Sequence, residues 1–229
     1  MSVPVPEPWP SGDSVAVAAP PRPMLRGVFH LVAALAAPFG LVALMLIADS
    51  PRDYVAASIY APAVIVLYTT SASYHLVPWP PRMRGVMARL DHSMIFVLIA
   101  ATYTPFCLKV LGNAWGITML AVVWALAAAG VLLKVFWPSA PRWLGVALYL
   151  AVGWVALIPA AELTQNLEPP ALALLLVGGV LYSLGALVYG ARRPDPFPRV
   201  FGYHEVFHVL VIAGSLVHFS VIAAFVLPS

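Results

Sequence analysis

Apolar residues fall along the chain in seven long runs, at roughly 27–48, 54–77, 88–109, 113–136, 142–160, 170–190 and 204–227, and polar positions collect between them. Each run has close to the ~20 residues that a helix rising ~1.5 Å per residue needs to cross a ~30 Å hydrocarbon core. The breaks hold turn-forming and charged clusters such as Asp49-Ser50-Pro51-Arg52-Asp53, Pro78-Trp79-Pro80-Pro81, Glu168-Pro169-Pro170 and Arg192-Arg193-Pro194-Asp195-Pro196. These connections are too short to hold a soluble domain. The pattern predicts an all-α integral membrane protein, a seven-transmembrane helix bundle over residues 24–229, since lipid leaves the backbone only helices or closed barrels. Residues 1–23 are rich in proline and carry no continuous apolar block. They are expected to form a disordered tail, without the basic and apolar regions of a signal peptide.

Composition sharpens this picture. Of 229 residues, 62% are hydrophobic and 9% charged, with a mean hydropathy of +0.92, whereas a soluble domain has about a quarter charged. Membrane lipids are the expected partners, and no nucleic acid. The single cysteine, Cys107, excludes an intrachain disulfide. The net charge of +3 says less than its distribution. Arg22, Arg26, Arg82, Arg84, Arg89, Lys134, Arg142, Arg192, Arg193 and Arg199 lie in the first segment and the even-numbered connections, while Arg52 and Lys109 lie in the odd-numbered ones. That is 10 against 2 of the chain's 12 Lys and Arg. By the positive-inside rule the N-terminus is cytoplasmic and the C-terminus outside, in a multi-pass protein of the cell (inner or plasma) membrane.

Chemistry enters through the residues that do not belong in lipid. The seventh run opens with Tyr203-His204-Glu205-Val206-Phe207-His208, in which His204 and His208 stand i and i+4 on one helical face. The second run ends with Ser71-Ala72-Ser73-Tyr74-His75, where Ser71 and His75 repeat that spacing, and the third begins with Leu90-Asp91-His92-Ser93. In the predicted topology all three segments meet at one depth, in the cytoplasmic leaflet. Intramembrane ionisable residues are costly and mark functional sites by default. Neutral imidazoles with an open fourth position suit zinc, while softer metals want more sulfur and Ca²⁺ or Mg²⁺ more carboxylate.

Taken in order, Ser71-x3-His75, Leu90-Asp91-His92-Ser93-Met94-Ile95 running to Ala101-Thr102-Tyr103-Thr104-Pro105-Phe106, and His204-x3-His208 with Gly214-Ser215 and His218-Phe219 resemble the hemolysin III branch of the progestin and adipoQ receptor (PAQR) family. That family is related to the alkaline ceramidases. The resemblance implies a zinc ion held by His75, His204 and His208 on the cytoplasmic side. It implies that Asp91 holds the water at the metal or acts as general base on it, and that Ser71 orients the water or the developing oxyanion. It also implies a lipid-like substrate with an amide or ester at headgroup depth, hydrolysed in the service of membrane lipid homeostasis.

Other readings stay open on the sequence. The histidines can serve as interhelical hydrogen-bond links. A zinc ion can lock helices together in a non-enzymatic receptor-like or hemolysin-type protein. His204-Glu205-Val206-Phe207-His208 also satisfies the H-E-x-x-H pattern of zinc proteases, with Glu205 as general base. His218 is expected to pack inside the bundle or line a cavity, His92 to be structural, and His30 to be interfacial. Pro159 is a candidate for a bend in the fifth crossing.

Overall fold

Proline in the first helical position, where its missing N–H costs nothing, opens several of the long helices. The structure, a computed structural model, describes residues 22–228. It runs α1 (Val28–Ile47), α2 (Pro51–Leu76), α3 (Pro81–Lys109), α4 (Asn113–Phe136), α5 (Arg142–Gly153), α6 (Ala160–Asn166), α7 (Pro169–Ala191) and α8 (Tyr203–Val221). A 3₁₀ turn, Trp154–Leu157, follows α5, and a π turn, Ile222–Val226, extends α8. Among the described residues there is no β-strand, only an isolated bridge between Phe197 and Phe201. The expected tail lies, up to residue 21, outside the described residues.

Six helices are long and apolar enough to cross a membrane, and the bent pair α5–α6, taken as one span, brings the count to the seven of the expected bundle. The bend is 53°, at Pro159, so the fifth crossing continues to Asn166 rather than ending near residue 160. A broken helix exposes backbone groups that lipid cannot satisfy. Tyr103 of α3 supplies the remedy: its hydroxyl donates to the Gly153 carbonyl at 2.6 Å and accepts from the Ala156 amide at 2.7 Å.

Each of α1 to α3 packs on its successor, α7 packs on α8, α8 returns to α1, and α5 bridges α3 and α4 to α7. The ring encloses a core that includes Tyr60, Phe96, Met119, Val123 and Ile222, while Phe39, Leu46 and Leu35 of α1 point outward, as lipid-facing residues should. The ends of α2 and α4 and the starts of α1, α3, α5 and α8 share one end of the bundle. The arginine-rich connections therefore lie at the end that carries the histidines. Backbone pairs Met24 N to Arg199 O (3.0 Å) and Leu25 N to Val200 O (3.1 Å) tie the segment before α1 to the one before α8.

Candidate metal centre

The i, i+4 pair on α8 turns His204 and His208 inward, and the last turn of α2 brings His75 to meet them. One ligand atom from each of the three lies within 4.8 Å of the others. The Nε2 atoms of His75 and His204 are 3.1 Å apart. Two nitrogens at ~2.0–2.1 Å from a tetrahedral zinc stand about 3.3 Å apart, so this spacing suits a shared cation. His208 is 1% exposed and its Nδ1 has no hydrogen-bond partner. A buried imidazole left this way is costly unless something polar or metallic completes it. The donor set, three nitrogens without sulfur, fits a borderline metal.

On the α3 side, Asp91 Oδ2 lies 3.7 Å from His75 Nε2, outside direct hydrogen-bond range. Ser71, one turn before His75 and 2% exposed, is the polar neighbour of that carboxylate. The structure brings these motifs together: His75, His204 and His208 form a cluster, and Asp91 and Ser71 stand beside it. Below them a cavity of about 400 Å³ runs toward the far end of the bundle. Its walls are mostly apolar and include Leu67, Ile95, Leu98 and Phe207, with Leu163 and Leu172 toward the far end.

The remaining candidates resolve differently. Glu205 is fully buried, pairs with Arg26, and accepts from the Gly202 amide at 2.8 Å. It caps α8 and anchors the segment before α1, so both carboxylate oxygens are engaged away from the metal ligands. His92 Nε2 meets the Tyr189 hydroxyl at 3.3 Å, a structural contact. His218 lines the cavity, bonds the Leu175 carbonyl at 3.2 Å, and packs against Gly178, where a Cβ would come within 2.3 Å of the ring.

His30 departs from its expected interfacial position. It is 3% exposed and stacks on His208 with ring centroids 3.7 Å apart and planes 11° from parallel. No local motif pointed to it. The one available signal was its place near the start of a crossing at the same end as the other histidines. The contact depends on Gly27, held at a left-handed φ of 86°, where a Cβ would sit 2.7 Å from His75 Cβ. Only glycine lets α1 begin so close to α2.

This geometry can be set beside known proteins. The family model "Haemolysin-III related" matches residues 19–219. The chain belongs to the haemolysin-III related family. It is 34% identical to "Hemolysin-3" of Bacillus cereus over 76% of this chain and 77% of that protein. It is likewise 34% identical to "Hemolysin-3 homolog" of Bacillus subtilis (strain 168), over 74% and 76%. An adiponectin receptor protein of Drosophila melanogaster is 27% identical over 69% of this chain but only 39% of its own length. These matches support the hemolysin III branch of the PAQR family. Its six to seven apolar helices make this haemolysin-III family member a multi-pass membrane protein, and the bacterial relatives indicate the plasma membrane.

Proposed function

We propose that this protein is a zinc-dependent hydrolase of a lipid amide or ester, working at headgroup depth in the cytoplasmic leaflet and serving membrane lipid homeostasis. The observation that carries the reading is a carboxylate poised beside the histidine cluster at the head of an apolar cavity. His75, His204 and His208 would hold the ion. A zinc ion there supplies Lewis acidity, polarising a carbonyl and bringing the pKa of water toward ~7.

The chain's own groups account for the rest. Asp91 takes the proton of the attacking water, whose oxygen bonds to the carbonyl carbon. The Ser71 hydroxyl donates to the oxygen that becomes negative. As the C–N or C–O bond breaks, the electron pair leaves with the amine or alcohol, and Asp91 returns the proton to it. The apolar walls seat an acyl chain and keep bulk water from the bond. The N-terminus-inside orientation is part of this proposal and rests on the arginine-rich end that the histidines share.

A second reading has its own support. The histidine cluster joins α2 to α8, which also meet where the Tyr60 hydroxyl donates to the Ser215 carbonyl at 3.4 Å, so a metal there can be purely structural in a receptor-like or hemolysin-type protein. The protease reading has less, because the burial of Glu205 against Arg26 takes its carboxylate out of reach. The experiment is fatty-acid release from a panel of N-acyl and O-acyl lipids by purified protein, with bound zinc measured in parallel. Release that Asp91→Ala abolishes with zinc retained supports the hydrolase. No release from any lipid by zinc-loaded wild type supports the structural reading.

A further inference from the structure

We infer that His30 is a ligand-recognition residue, whose imidazole hydrogen-bonds a neutral hydroxyl or amide group of a lipid held in the cavity. The inference rests on reading the cavity as a lipid site, but not on hydrolysis. His30 lines the cavity, is 3% exposed, and has no hydrogen bond at either ring nitrogen. The His208 backbone comes near without completing one. His218, also buried on the same cavity, uses Nε2 on the Leu175 carbonyl. A buried imidazole with no well-formed hydrogen bond at either nitrogen calls for a polar partner, and a ligand in the cavity it lines can supply one.

Geometry excludes the metal as that partner. His30 turns its ring face, not a nitrogen, to His208, and it stands outside the three-histidine ligand group. The Tyr68 ring, 5.0 Å away by centroid, covers another side of the imidazole. Chemistry narrows the ligand. A neutral imidazole offers one donor and one acceptor. It therefore matches a hydroxyl or a secondary amide, which can both give and take a hydrogen bond. Phosphate esters only accept, and ammonium groups only donate. Because His30 lies one ring thickness from His208, the group it holds sits beside the reacting bond and selects lipids that carry a hydroxyl or amide there.

Two chain-matched probes test this with full-length protein in nanodiscs: N-dodecanoylethanolamine, and the same molecule methylated at nitrogen and oxygen so that both donors are gone. Wild type should bind the first about 10-fold more tightly, the effect of one well-made buried hydrogen bond. His30→Phe, which keeps a stacked ring, and His30→Leu should erase the preference while zinc content stays at the wild-type level. The two variants run side by side, and His30→Gln, whose amide again donates and accepts, should restore part of it. Equal affinity of wild type for the two probes, binding of neither, or a preference that survives in both variants overturns the inference and leaves His30 as a packing ring with water on its nitrogens. Failure of the hydrolase reading looks different: the binding preference persists and neither probe is cleaved.

Discussion

Asp53 and Asp91 stand at opposite ends of the bundle, the first buried and the second partly buried, and their surroundings use them in opposite ways. At the end away from the histidines, Asp53 is 1% exposed and both of its oxygens are engaged. Its Oδ2 accepts from the Ser50 amide (2.8 Å) and the Ser50 hydroxyl (2.7 Å), and its Oδ1 meets Lys109 Nζ at 2.7 Å. Ser50 in return accepts from the Asp53 amide, completing a capping box at the start of α2. At the other end Asp91 has the His75 Nε2 just beyond hydrogen-bond range and the Ser71 hydroxyl as its polar neighbour. The first carboxylate is spent on holding α2 to α3. The second is left free to change partners, as proton transfer requires.

The contrast can be broken most forcefully at Asp91. Asp91→Ala should lower lipid turnover by about 10²–10⁴-fold, the usual worth of a general base, with zinc and unfolding midpoint close to wild type. A loss of zinc in step with activity would make Asp91 part of the structure. At the opposite end Asp53→Ala should do the reverse. Breaking a buried pair leaves Lys109 uncompensated and costs about 3–5 kcal/mol. Denaturant titration in mixed micelles should register it, while zinc per folded chain stays unchanged.

Glu205→Gln loses the Arg26 ion pair but can still accept from the Gly202 amide, so about 1–3 kcal/mol of stability should go while zinc and lipid turnover remain. A protease would instead lose its activity altogether. Tyr103→Phe removes the hydroxyl that bridges the break in the fifth crossing. It should cost about 1–3 kcal/mol, the penalty for an unsatisfied buried group. Faster amide exchange should follow, confined to the 153–156 turn.

Much of this was legible in the sequence because lipid narrows the choices. Run length and proline-rich breaks located the crossings, and i, i+4 spacing on α2 and α8 put Ser71, His75, His204 and His208 on the correct faces. What stayed hidden was pairing between segments far apart in the chain. The Arg26–Glu205 contact spans 179 residues, and no periodicity announces it. On sequence Glu205 therefore leaves the zinc-protease pattern open as an alternative, and its pairing with Arg26 argues against that alternative. His30 had no motif because its role depends on Gly27 bringing α1 onto α2. The extended fifth crossing was foreshadowed by Pro159, but the Tyr103 hydroxyl that makes the break tolerable belongs to another helix.

The proposed chemistry requires one metal ion shared by α2 and α8 through imidazole nitrogens. X-ray absorption at the zinc edge, on protein purified without chelators, tests it directly. The expected spectrum has three imidazole shells at ~2.0–2.1 Å with one light-atom ligand, falling to two imidazoles in His75→Ala and to little bound zinc in His208→Ala. Metal-free wild-type protein that remains folded, or a zinc spectrum that His75→Ala and His208→Ala leave unchanged, would contradict it.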